Sequence, residues 1–259
     1  DFFFPGYSLK CPDTGKLAYP LLRPHLGARP PFAPGHAASP FLDPVGWEAR
    51  PPEPGQNGPR SLCPEGARVR SFDVQAITLP IVLNQRANLI DPVGQLYVLK
   101  EEENAIRADP EKRVPLVIRA NAGEDCVDVV LKSELEDNAD NRNLSKANMH
   151  IHFVQFDVQG SDGVNTGFNY EQSVRPFQVA GDKLTEAARP GDSAISLAST
   201  GRYHPGALVG VGMDQTGTFE VRRIAAVEQA RLIFDKPLEQ PHGEGEYVSA
   251  EFVRYRWYA

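Results

Sequence analysis

The chain has 259 residues, 41% of them apolar and 24% charged, which suits one large or two small domains with buried cores and excludes a disordered tail. Its net charge of −7 comes from one segment, since residues 101–140 hold 12 acidic and 5 basic side chains and leave 22 of each sign elsewhere. A body without a basic face offers little to a phosphate backbone, so nucleic-acid binding is not expected, and no apolar run approaches the ~20 residues that span a bilayer.

In chain order, the first 65 residues are an arm. Of the 23 prolines, 14 fall in residues 1–64, among them Arg29-Pro30-Pro31 and Pro51-Pro52-Glu53-Pro54-Gly55. Proline lacks the donor that a ladder needs, so 1–65 is expected to run extended over a neighbouring domain. The N-terminus Asp1-Phe2-Phe3-Phe4-Pro5 has neither an initiator Met nor a signal-peptide pattern, so the chain is expected to be a processed product or a piece of something longer. His25 and His36 lie in the arm with no partner ligand at a useful spacing and are expected at the surface. Cys11 and Cys63 each precede a proline in irregular sequence; a bridge between them would staple the arm in an oxidising compartment, with free thiols as the alternative. Cys126 falls in an alternating pattern and is expected as a small buried hydrophobe.

From Arg68 the texture changes to short strands, expected over Val69–Leu83, Gln95–Leu99, Val114–Ala120, Cys126–Leu131 and Met149–Val158. Turn signals separate them, such as Asp91-Pro92-Val93-Gly94 and Asn121-Ala122-Gly123. This spacing, with no useful helical periodicity, points to an all-β Greek-key β-sandwich. Four further short strands follow after residue 183, within Gly191–Leu197, Pro205–Val211, Phe219–Ile224 and Leu232–Leu238. With Pro237-Leu238, His242, Gly245 and Tyr247-Val248, this run resembles a small β-module recurring in secreted and phage structural proteins. Residues 184–248 are therefore expected as an insertion, with His204 and His242 in structural roles.

Asn148-Met149-His150-Ile151-His152-Phe153 carries the chemistry. In a strand, alternate side chains share a face, so His150 and His152 are expected to project together with Cβ atoms about 6–7 Å apart. Two imidazoles facing one space suit copper, zinc or iron, held as one ion between them or as two ions, and the acid-poor flank argues against calcium or magnesium. A stand-alone zinc or iron site would need a further ligand, which no spacing nominates.

The context of the pair is distinctive: Val114-Pro115-Leu116-Val117-Ile118-Arg119-Ala120-Asn121-Ala122-Gly123-Glu124-Asp125 before it, Asp162-Gly163 after it, and Arg254-Tyr255-Arg256-Trp257-Tyr258-Ala259 at the end. Here the chain resembles a multicopper oxidase, specifically the cupredoxin domain that bears the first of four His-x-His motifs. The phrase Phe153-Val154-Gln155-Phe156-Asp157-Val158-Gln159 and the proline-rich arm are similar to the very large multi-cupredoxin members, some associated with manganese oxidation. The resemblance implies a cupredoxin-like domain over 66–183 and 249–259, interrupted by the 184–248 module. It makes His150 a ligand of the type 2 copper and His152 a ligand of one type 3 copper, in a cluster that reduces dioxygen to water while a small substrate or metal ion is oxidised. Asp162 takes the place of the acidic residue that assists proton delivery. The location implied is extracellular or periplasmic. One motif of four is present and there is no His-Cys-His, so the chain is incomplete as an oxidase and the remaining cupredoxin domains are expected as its partners. The alternative is a non-enzymatic cupredoxin-like assembly module with no bound metal.

Overall fold

The structure, a computed structural model, describes residues 63–64, 66–137, 145–156, 163 and 173–259. Apart from Cys63 and Pro64, the expected arm lies outside the described residues, with Cys11, His25 and His36. The described chain is an all-β sandwich with few and short helices. Thirteen strands are described: β1 Arg68–Thr78, β2 Ile81–Asn84, β3 Leu89–Asp91, β4 Gln95–Leu99, β5 Asp125–Glu134, β6 Gln155–Phe156, β7 Asp182–Lys183, β8 Ala194–Ser196, β9 Leu208–Val211, β10 Glu220–Val227, β11 Arg231–Phe234, β12 Tyr247–Ser249 and β13 Val253–Tyr258. Two short helices join them, α1 Glu103–Ala108 and α2 Phe177–Ala180.

One sheet has the order β4-β1-β5-β13-β6 and another β7-β12-β9-β10-β11-β8, while β2 and β3 form a separate hairpin. In the first sheet β1 and β5 run parallel, in register from Arg68↔Asp125 to Ile77↔Glu134, and β13 runs antiparallel to β5. Period-two alternation in these strands divides the sheet into two unlike faces. Val127, Val129 and Leu131 of β5 join Val74, Ala76, Tyr255 and Trp257 in one core. That core is covered by Leu116, Ile118, Met149, Ile151 and Val154, which stand on extended chain outside any ladder. The other face carries Asp128, Val130 and Lys132. Val130 packs with Phe177, Met213 and Phe252, where the second sheet meets the first.

The second sheet uses only residues 182–249 and has its own core, from Leu184 to Val248, including Val209, Val211, Ile224, Leu232 and Phe234. His242 is buried there, Nδ1 2.8 Å from Glu246 Oε2 and Nε2 2.9 Å from Glu220 Oε1, so both ring nitrogens are used in tying β10 to the loop before β12. His204 is exposed.

Three expectations are corrected by the pairing. The run Val69–Leu83 splits at Leu79-Pro80, where proline has no donor for the ladder, and continues as the β2–β3 hairpin. Val114–Ala120 and the stretch 149–154 are unladdered; alternation sets which way side chains face, while a strand also needs a partner, and among the described residues of Met149–Val158 only Gln155–Phe156 finds one, on β13. The third concerns the cysteines. Cys63 bonds Cys126, with Cα atoms 5.8 Å apart, so Cys11 is not its partner and Cys126 is not a free thiol. The parallel register sets Val69 beside Cys126, and a turn in which Ala67 N–H donates to Pro64 O brings Cys63 back to it.

Part of the acidic segment 101–140 is turned inward. Glu103 at the start of α1 is buried and accepts from Lys100 Nζ at 2.7 Å and Arg107 Nε at 2.7 Å, and Glu134 accepts from the same two side chains. Burial alone would push the Glu103 carboxyl up, but hydrogen bonds and charge from Lys100 and Arg107 outweigh it and hold the group below its ordinary value of 4.5. A depressed carboxyl contributes stability above the unfolded-chain value and loses it as pH falls through the lower folded value. Urea midpoints of the parent are therefore expected to fall on acidification below about pH 4.5, and Glu103→Gln to flatten that fall. Parallel curves for the two proteins would show that this network does not set the acid limit.

Candidate metal centre

The segment that bears the histidine pair is pinned at both ends. Ala147 and Val174 exchange backbone hydrogen bonds of 2.9 and 2.8 Å at its start, and Gln155–Phe156 pairs with β13 at its end. Between them three contacts replace a ladder. Met149 N–H donates to the Tyr255 hydroxyl at 3.3 Å, the Tyr97 hydroxyl donates to Asn148 O at 2.5 Å, and the Asn148 amide donates to Gly163 O. Burial raises the Tyr97 hydroxyl above its ordinary value of 10.0, so it remains a donor at neutral pH. Gly163 has φ +80°, and a Cβ there would lie 1.8 Å from Met149 O, so no other residue fits that approach.

Held in this way, Met149 and Ile151 turn into the core and His150 and His152 turn out to solvent. The two rings stand 4.8 Å apart between centroids with planes at 86°. The expected common face is therefore present although the regular strand is not. Phe153 follows with φ +64° and a fully exposed ring, a conformation that costs a bulky residue roughly 1–2 kcal/mol. The chain turns there, directly after the pair.

Beside the rings lies a cavity of about 640 Å³ with His150 on its lining and Leu116, Ile118, Val127, Tyr97 and Trp257 among its walls. One ring of the pair, His150, thus borders an apolar hollow. Two imidazoles ligating one ion at ~2.0 Å and roughly right or tetrahedral angles have ring centres roughly 4.5–5.2 Å apart, so the observed spacing fits a shared ion. It also admits one ion on each outward ring. Imidazole nitrogen donors fit copper, zinc or iron better than calcium or magnesium.

Among the described residues no group of three His, Cys, Asp or Glu side chains converges, so the pair has no third protein ligand there. Asp162, the expected proton-delivering residue, lies outside the described residues; Gly163 beside it is packed on the His150 segment. The positioning roles of Tyr97, Tyr255 and Asn148 were not legible in the sequence. Tyr255 reads there only as one apolar step of an alternating strand, and Tyr97 is 51 residues from its partner. Among the described residues no helix is long and apolar enough to cross a membrane. No protein-family model matches the chain, and no curated protein matches it.

Proposed function

We propose that this chain is part of a secreted multicopper oxidase and supplies His150 and His152 to a copper cluster completed by ligands from the enzyme's other cupredoxin domains. The observation that carries the reading is the pair of outward imidazoles, 4.8 Å apart, one of which, His150, borders an apolar hollow. Copper in such a cluster supplies the reduction of dioxygen to water, with electrons taken from a small substrate or a metal ion. The work of this chain is to hold two nitrogen donors at fixed spacing. The Tyr255 and Tyr97 hydroxyls fix the backbone at Met149 and Asn148, and Met149 and Ile151 anchor the segment in the core. Asp162 would hold and pass a proton beside the cluster.

Titration of the full chain with Cu(II), followed by calorimetry and electron paramagnetic resonance, tests this. One Cu(II) per chain with nitrogen hyperfine structure is expected. His150→Ala or His152→Ala should weaken binding at least about 10-fold, because either change removes the chelating second donor, and the double variant should abolish it. Copper binding that survives the double variant would overturn the reading. Failure of the parent chain to bind copper would do the same and favour a metal-free assembly module.

A further inference from the structure

The face of the first sheet turned toward the second is charged. Asp73 of β1, Asp128 and Lys132 of β5, and Arg254 and Arg256 of β13 share it, as period-two alternation and the register require. Asp128 accepts from Arg256 through both of its oxygens, and Asp73 Oδ2 accepts from Lys132. Asp73 Oδ1, in contrast, is buried without a hydrogen-bond partner among the described residues. A carboxylate oxygen taken out of water without a donor is costly, and it points to a donor from outside the chain. Asp73 stands on the wall of a cavity of about 380 Å³ between this face and the loop before β10. Arg254 lines the same cavity. Both residues are register partners of Val130, one on each side, which sets their Cα atoms roughly 10 Å apart across three strands. Val130, Phe72, Leu99 and Phe219 supply apolar wall around them.

We propose that this cavity binds a small zwitterion, a free α-amino acid with an apolar side chain, whose ammonium donates to Asp73 Oδ1 and whose carboxylate faces Arg254. The charges on the wall select this class. A simple cation would meet Arg254 and Lys100 there, and a simple anion would meet Asp73, Glu101 and Asp128, so either sign alone is opposed. A molecule that carries both signs one carbon apart satisfies the two flanks of Val130 together. Asp73 is short and Arg254 is long, so the guanidinium can close the distance to a ligand held at the carboxylate. The apolar wall then takes the side chain of the ligand, and the volume lies within the range of small-molecule sites. This site is formed by the face of the sheet opposite to the one that packs against Met149 and Ile151, and it is independent of the histidine pair.

Calorimetric titration of the full, metal-free chain with L-leucine tests the proposal, with chelator present so that the histidine pair takes no part. Saturable binding of one equivalent is expected, with a Kd of about 1 mM or tighter. Two analogues remove one charge each without adding bulk: 3-methylbutylamine lacks the carboxylate and 4-methylpentanoate lacks the ammonium. Each should bind at least about 10-fold more weakly, because each forfeits a charge-assisted contact. Thr216 lines the cavity at an exposed position, so Thr216→Trp should fill the opening and abolish binding while leaving the urea midpoint of the chain unchanged. Arg254→Gln should weaken L-leucine and leave 3-methylbutylamine unaffected or improved. A parent chain that binds no L-leucine overturns the proposal and leaves the cavity to water. An analogue that binds as tightly as L-leucine, or a folded Thr216→Trp chain that binds like the parent, overturns it as well.

Discussion

Cys63→Ser is expected to lower the unfolding free energy by about 4 kcal/mol, the loop-closure contribution of a cross-link whose ends are 63 residues apart. The bond closes a loop that contains β1 to β4 and α1, and it sits where the parallel β1–β5 pair begins. Parallel pairing over such a separation is entropically costly to assemble, so the cross-link acts where the unfolded chain has most freedom to lose. Both sulfur-bearing residues are fully buried, and the adjacent Asp125 adds to the same corner. Hydrogen bonds from Arg68 and from Asn121 N–H hold the Asp125 carboxyl below its ordinary value. Urea unfolding of the parent, the reduced parent and Cys63→Ser measures the effect, with the last two expected to coincide. A parent whose stability does not change on reduction, or a peptide map joining Cys63 to Cys11, would refute the pairing.

What the sequence disclosed and what it withheld divide along a physical line. Facing is a local property, so alternation correctly sends Met149 and Ile151 inward and His150 and His152 outward, and it marks Val127, Val129 and Leu131 as one face of β5. Pairing is not local. Val114–Ala120 has the alternation of a strand without a described partner, and nothing in its own residues distinguishes that from a laddered strand. The cysteine pairing was hidden for the same reason: Cys63 and Cys126 meet because β1 and β5 lie parallel in one register, whereas the sequence around Cys11 and Cys63 left open only a bridge between those two or free thiols. Proline, by contrast, acts locally, and Pro80 ends β1 where its missing donor requires. At the site, the two ligand candidates were visible as a motif, while the hydroxyls that hold their backbone come from 51 and 106 residues away and were not.

Lys132→Met is expected to cost about 3–5 kcal/mol, although methionine fills similar space, because it leaves a charge inside the protein without its counter-ion. Lys132 is fully buried on the face of β5 turned toward the second sheet, with Nζ 2.9 Å from Asp73 Oδ2 and 4.5 Å above the Phe219 ring. Burial pulls the Lys132 ammonium below its ordinary value against the opposing pull of Asp73, and burial pushes the Asp73 carboxyl up against the opposing pull of Lys132. Gln75, the register partner of Lys132 on β1, is itself fully buried with both amide atoms unmatched among the described residues. The loss of the ammonium also removes its contact with Phe219, which packs with Phe252 where the two sheets meet. A double-mutant cycle apportions these effects. Asp73→Ala with Lys132→Met removes both charges, and the double variant is expected to lose about 3 kcal/mol or more less than the two single losses added together. Strictly additive losses in urea unfolding would mean that the pair is solvated enough for each charge to stand alone, and that apolar packing carries the junction between the sheets.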